Sequence, residues 1–452
     1  MMNDGLDNIS QSKGREITSF SVVTLGCKVN QCDGASISLE LENAGFRPVA
    51  FPSFADAYII NTCTVTAFAD FQGRQLVRRA LRVNPRARVI VTGCLAQTQP
   101  QVPAALGGVA VVAGNDHKHL IAQLLSRPAG DFPLVLAGDI FEQKNFPHLP
   151  AAGITGRTRA FFKIQDGCDA FCSYCIVPYA RGKSRSLPVD GVCDGVRHFV
   201  RQGCSEIVLT GIHLGNYGQD LVPPTGLAGL LEILLSQNSN VRFRLSSIEP
   251  LEVTDDLLAL FGRHKNLCPH LHIPLQSGDD TILKKMKRSY DRDFFRSLIE
   301  RVTQSVPDIA IGADVMVGFP GEGEKEFAQT LSLLEELPLA YLHVFPYSER
   351  PGTAACGLPR KVPDKIKKER AAILRTLGAR KREAFSQKFL GRTLPVLVEG
   401  SSGKNNGPAK GFSHNYLPVV LERDTAGRAN TIVRVKITAY HHGRLTGEVA
   451  YG

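Results

Sequence analysis

Apolar residues recur along this chain in two rhythms, and the change of rhythm divides it. The first segment alternates short β-branched runs, "FSVVTLGC", "ADAYIINTC", "ARVIVTGC" and "VAVVAGN", with the helix-spaced stretches "DGASISLELENAG" and "FQGRQLVRRALRVN". Strand–helix alternation predicts an α/β fold with a doubly wound, mostly parallel sheet over residues 17–130. The stretch "AGDIFEQKNFPHLPAAGITGRTR" has little periodicity and reads as a linker, 131–153. From "RAFFKIQDGC" the alternation resumes with a longer period. Six candidate strands, "FFKIQ", "EIVLTGIH", "RFRLSSIE", "HLHIPLQ", "AIGADVMVGF" and "LHVFPYS", predict an open, partial (β/α)6 barrel over 154–385. A helix over "PDKIKKERAAILRTLGARKREAFSQKFLG" is expected to end at Gly391. Short strands with Gly-rich turns then predict a small β-barrel over 386–452.

Charge sharpens this division. The chain carries a net +10, yet Lys361 to Gly452 hold eighteen Lys/Arg against seven Asp/Glu, and the rest is close to neutral. A basic terminal module points to a polyanion such as nucleic acid, with a solvated helix face as the plain alternative. The N-terminal "MMNDGLDNISQSKGREITS" has no apolar stretch of the kind that directs secretion, and no window approaches eighteen unbroken apolar residues. With eleven cysteines and no export signal, a reducing cytoplasm is expected, and metal or redox chemistry outranks a disulfide framework.

The cysteines carry the chemistry. In "GCDAFCSYCIVPYARG", Cys168, Cys172 and Cys175 fall within eight residues, in a loop after the first strand of the second segment. Three thiolates hold three irons of a [4Fe–4S] cluster and leave the fourth open to a reactant. Zinc normally takes four protein ligands, which here would require Cys193 or His198. Asp169, Ser173 and the adjacent glycine suggest an exposed loop. In the first segment Cys27, Cys63 and Cys94 each follow an apolar strand directly. Strand C-termini of a parallel sheet share one edge, so the three converge and make a second three-thiol set. Cys193, Cys204, Cys268 and Cys356 read as packing residues, and Cys32 as a bystander near the first set.

"CDAFCSYC" at the head of a six-strand βα series resembles the radical S-adenosylmethionine (radical SAM) superfamily. Across nearly the whole chain, "LGCKVNQ", "NTCTVT", "TGCLAQ", "LTGIHLGNYG", "LSSIEP", "HIPLQSGDD", "MVGFPGE" and "FPYSERPGTAA" resemble its methylthiotransferases. "GCKVNQ", "PYARGKSRS", "TGIHLGNYG" and "RLSSIEP" look most like the branch that modifies N6-threonylcarbamoyladenosine at tRNA position 37. Sibling branches act on isopentenyladenosine or on a ribosomal-protein aspartate. Cys32 departs from the tyrosine expected there.

The resemblance implies two [4Fe–4S] clusters, one on Cys27, Cys63 and Cys94 and one on Cys168, Cys172 and Cys175, with SAM at the latter. It implies two SAM molecules per product, one methylating a sulfur held on the first cluster, the other giving a radical that removes hydrogen from adenine C2. General acid–base catalysis, worth about 10²–10⁴-fold, would not break that bond. Thr210, Gly211, Ser246, Glu249 and Gln276 are candidates to hold SAM, each equally readable as a satisfied strand-end group. Arg181 and Arg185 are candidates for cluster charge or RNA phosphate, and Tyr416 and Phe412 for stacking on an anticodon-loop base. The C-terminal module corresponds to a TRAM RNA-binding domain. Implied partners are the tRNA anticodon stem-loop, an electron donor such as flavodoxin or ferredoxin, and a sulfur donor, with no membrane. The rival class is a non-catalytic Fe–S or zinc-stabilised RNA-binding protein.

Overall fold

In the computed structural model the described residues are 17–127, 133–147, 150–153, 158–401, 408–422 and 429–450. The polar N-terminus read for a secretion signal and parts of the linker and domain edges (128–132, 148–149, 154–157, 451–452) lie outside them.

The first sheet is parallel throughout. Its strands run in the order Arg47–Pro48, Ser19–Thr24, Ala57–Thr62, Arg88–Gly93, Val109–Ala113, Leu134–Leu136. Side chains alternate across it. Ala57, Ile59 and Ile90 face one core with Ile37, Leu41 and Leu124, from the helices Lys28–Asn43 and Ile121–Ser126. Tyr58, Ile60, Val89 and Val91 face another with Val77 and Ala80 of the helix Ala67–Val83. Two buried faces explain the unbroken apolar runs. One boundary needs correction. Leu134–Leu136, placed in the linker 131–153, pairs with Val111–Ala113 as the sixth strand, too short for its own periodicity to register.

The central strands Arg159–Lys163, Glu206–Thr210, Arg242–Leu245, His270–His272, Ala310–Val317 and Tyr341–Pro346 are parallel and follow chain order. Phe243–Leu267 and Ser247–His272 bridges join the two triplets. Phe162, Ile207, Leu209, Phe243, Leu271 and Ile311 belong to one large outer core, packed against the helices. The alternating positions face the lumen and are unusually polar: Arg159, Lys163, Glu206, Arg244, His272 and Asp314. A lumen lined by charge is a binding space rather than a packed core.

The helix Asp364–Gln387 ends four residues before Gly391, the expected stop, which instead takes a left-handed turn (φ 76°) just ahead of the barrel. Five strands then close an antiparallel-rich barrel in the order Thr393–Ser401, Ala409–Ser413, Pro418–Leu421, Arg444–Val449, Ile432–His441. Along the last of these Val435 and Ile437 point inward, while Arg434 and Lys436 are exposed. None of the described helices is long and apolar enough to cross a membrane.

Candidate active site between the first two domains

Three adjacent strands of the first sheet end at cysteines. Cys63 directly follows Ala57–Thr62, Cys94 opens the helix after Arg88–Gly93, and Cys27 caps Lys28–Asn43 just beyond Ser19–Thr24. Each thiol lies within electrostatic reach of the other two. Two glycines permit this approach. A Cβ on Gly26 would sit 2.8 Å from the Cys63 Sγ, and one on Gly93 (φ 94°) 2.3 Å from the Thr62 carbonyl. Burial, reinforced by Cys94, pushes the Cys63 thiol up to about 12. A bare thiol there stays neutral at pH 7, and a metal would be needed to hold it as thiolate.

Cys168, Cys172 and Cys175 form the second set, after the strand Arg159–Lys163 and a β-bridge pair at Gln165–Asp166. Burial pushes Cys175 up to about 12. Two cations missed by sequence reasoning touch this set. The His213 Nδ1 lies 3.5 Å from the Cys168 Sγ, and Arg288 Nη1 donates to the Cys172 Sγ at 3.3 Å. Burial opposes charging His213, yet its bonds to Cys168 and Glu252 push it up to about 11. His213 stands within "LTGIHLGNYG", where only Thr210 and Gly211 are singled out, and Arg288 lies outside every quoted motif, so spacing ties neither to the thiols. The loop is exposed at Asp169, as expected, and at Ala170 and Phe171, but not at Ser173 or Gly167. Ser173 is buried and donates to the Lys285 carbonyl at 2.7 Å, and Gly167 (φ 77°) packs on the Lys183 backbone.

A buried ion network joins the two sets. Asp33 accepts from Lys118 at 2.7 Å, from Arg181 at 3.0 Å and from Lys163. Arg181 also forks onto Asp166 at 2.9 and 3.0 Å. Burial alone would raise Asp33, but Lys118, Lys163 and Arg181 hold it well below the ordinary carboxylate range. These three cations face two carboxylates, and the thiols of Cys94 and Cys27 lie within electrostatic reach of Arg181. The surplus positive charge therefore sits beside the thiols. The one sequence-level signal was Lys163 within "FFKIQD", a charge on an otherwise apolar strand that demands a partner. A second tie runs from Arg350, whose Nη2 reaches the Thr64 Oγ1 at 3.2 Å and Asp70, beside Cys63.

Residues 162–334 match the radical SAM superfamily, and residues 19–114 match the family described as Uncharacterized protein family UPF0004. The threonylcarbamoyladenosine tRNA methylthiotransferase MtaB of Bacillus subtilis is 38% identical over 92% of both chains. The chain belongs to the radical SAM tRNA methylthiotransferases. The Aquifex aeolicus protein of the same name is 39% identical over 83% of this chain and 91% of its own. A tRNA-2-methylthio-N(6)-dimethylallyladenosine synthase of Clostridium tetani is 31% identical over 99% of this chain and all of its own. Among solved structures, the radical S-adenosylmethionine methyltransferase TsrM from Kitasatospora setae superposes with a TM-score of 0.56 at 14% identity, over 76% of this chain and 77% of its own, a likeness of fold. This methylthiotransferase is thus an enzyme that uses SAM and [4Fe–4S] chemistry.

In the methylthiotransferase the five SAM candidates separate. Ser246 Oγ and Gln276 Oε1 are buried oxygens with no hydrogen-bond partner among the described residues, and Gln276 has a left-handed backbone (φ 66°). Glu249 pairs with Arg288, beside Cys172. Thr210 spends its hydroxyl on the Val208 carbonyl at 3.2 Å, and Gly211 packs on Gln165.

Of the two alternatives read for Arg181 and Arg185, cluster charge or RNA phosphate, burial leaves the second no surface to reach. Arg181 is 2% exposed and fully paired, and Arg185, 4% exposed, donates to the backbone carbonyls of Lys183, Asn145 and Arg181. Neither faces solvent phosphate, because the ends of the two domains close over them. Tyr416 stacks on Phe412 (5.1 Å between centroids) and lies against Arg244, Arg159 and His270. Both rings are half-buried between the barrel and the central domain. Cys32 packs on Phe161 and Val208, its thiol 3.4 Å from the Phe161 carbonyl, in keeping with a bystander. The proposed zinc completers are elsewhere: Cys193 packs on the outer core and His198 on Phe199.

Proposed function

We propose that the enzyme installs a methylthio group at C2 of N6-threonylcarbamoyladenosine-37 in tRNA, with one [4Fe–4S] cluster on Cys27, Cys63 and Cys94 and one, with SAM, on Cys168, Cys172 and Cys175. The observation that carries this reading is the meeting of two three-thiol sets across one buried, positively charged seam. The donor chemistry fits a cluster better than a single ion. Zinc normally takes four protein ligands, and Cys193 and His198 pack elsewhere, whereas three thiolates suffice for a [4Fe–4S] cluster with one open iron. Arg181, His213 and Arg288 supply the positive charge that a thiolate-ligated cluster requires.

When bound, these groups supply the radical cleavage of an inert C–H bond and the sulfur transfer. The chain's own residues position and shield. Ser246 and Gln276 present free oxygens to SAM, and Glu249, held by Arg288, fixes the Cys172 side of the loop. The ion network around Asp33 locks the two domains at a fixed separation and excludes water from the seam. The exposed Arg434 and Lys436 offer phosphate contacts for the tRNA. Support for the threonylcarbamoyl branch comes from the relatives: those named for that nucleoside are 34–39% identical, those named for dimethylallyladenosine 31–33%. Reduction by a flavodoxin or ferredoxin and sulfur from a separate donor complete the scheme, in the cytoplasm.

The test is mass spectrometry of tRNA nucleosides from a strain lacking the gene, with and without its restoration. Loss and return of 2-methylthio-N6-threonylcarbamoyladenosine is expected. An unchanged level, with loss of the isopentenyl derivative or of a methylthio mark on a ribosomal-protein aspartate, would transfer the enzyme to a sibling branch.

A further inference from the structure

Directly after Cys27, the half-buried Lys28 opens the helix Lys28–Asn43, within electrostatic reach of both the central domain and the C-terminal barrel. Four residues on, Cys32 packs on the lumen-facing Phe161 and Val208, so this end of the helix covers the mouth of the central lumen. The groups in electrostatic reach of Lys28 are Tyr416, Arg159, Arg244 and Asp314. Every other charge in that group has a partner. Arg244 is bound by Glu206 at 2.8 Å, Arg159 by Glu399 at 3.0 Å, and Asp314 by His272 at 2.9 Å and His343 at 3.5 Å. Among the described residues no ion pair or hydrogen bond holds the Lys28 ammonium, and Asp314, already held by two histidines, reaches it only electrostatically. Next to it the buried Arg159 Nη1 also lacks an acceptor.

An ammonium and a guanidinium N–H left without acceptors in one half-buried chamber call for an anion from outside. Resting on the substrate reading above, we infer that Lys28, assisted by Arg159 Nη1, is the counter-ion for the carboxylate of the threonylcarbamoyl group. That group is the only part of the base carrying a full negative charge. An isopentenyl chain in the same place would leave both donors unpaired, so the pair rejects the apolar nucleoside as well as holding the acidic one. Asp314, in electrostatic reach of Lys28, and its partner His343, whose side chain is 57% exposed, suit the ureido N–H and hydroxyl of the group. Lys28 is a binding and specificity residue and takes no part in bond breaking.

The experiment uses the reconstituted holoenzyme and three anticodon stem-loop RNAs, bearing threonylcarbamoyladenosine, its methyl ester, or isopentenyladenosine at position 37. Binding is read by fluorescence anisotropy without SAM, and turnover as KM and kcat separately. The wild type should favour the acid over the ester. Lys28→Gln should weaken binding of the acid by about 10- to 100-fold, mainly in KM, and abolish the preference, with Lys28→Arg restoring part of it. Iron content monitors the neighbouring Cys27. Should Lys28→Gln lose iron, the wild type alone decides: indifference to esterification overturns the inference. Equal acid binding by wild type and an iron-replete Lys28→Gln overturns it too. A wild type inactive on the acid RNA and active on the isopentenyl RNA refutes instead the substrate reading.

Discussion

Asp33→Asn tests the seam between the domains. Asp33 is 1% exposed and answers three cations at once, Lys118, Lys163 and Arg181, with only Asp166 left to share them after its removal. Were this a surface pair, the loss would be about 0–1 kcal/mol. Removing one member of a buried network instead strands uncompensated charge and costs about 3–5 kcal/mol, a third or more of a typical folding free energy. Urea denaturation of the holoenzyme should therefore show a midpoint lower by about 1–2 M, using a slope of about 2–3 kcal/mol per M. Acid adds a second signature. Asp33 is held below its ordinary value of 3.8, so its contribution is fully present above pH 3.8 and is lost as pH falls toward the depressed native value. The wild type should lose stability from about pH 4 downward, and the variant should show a shallower decline. A variant within about 1 kcal/mol of wild type, with the same acid profile, would refute a dry, charge-paired seam.

Cys63→Ala and Cys172→Ala should each remove about four of about eight irons per chain and spare the other half, measured as iron and sulfide per protein. Loss of all iron from either one, or of none, would contradict two separate clusters. Gly93→Ala forces a Cβ against the Thr62 carbonyl at a left-handed backbone (φ 94°), so it should cost about 2 kcal/mol or more in thermal denaturation and impair iron retention at the first set. Arg434→Gln and Lys436→Gln, both exposed on the barrel, should weaken tRNA binding at all sequences alike and each reduce the salt slope of log K by about 1. An unaltered slope would place the RNA elsewhere.

The sequence by itself determined the layers and both sets of thiols. Unbroken apolar runs ending at cysteine are readable because a parallel strand buried on both faces must be apolar, and the residue after it falls on the ligand edge. Cys168, Cys172 and Cys175 were readable because their spacing is local. What only the tertiary structure decided is how charge is distributed between the domains. Asp33, Lys118 and Lys163 lie far apart in the chain; Lys163 on its apolar strand signals a need for a partner without naming it, and Asp33 and Lys118 read as ordinary polar residues until a strand of one domain closes on a helix of another. For the same reason Arg181 and Arg185, which as sequence suit cluster charge or RNA phosphate alike, are interior groups. A basic or aromatic residue looks the same on paper whether it meets phosphate, a buried carboxylate or another ring. Burial distinguishes them, and burial depends on contacts between residues hundreds of positions apart.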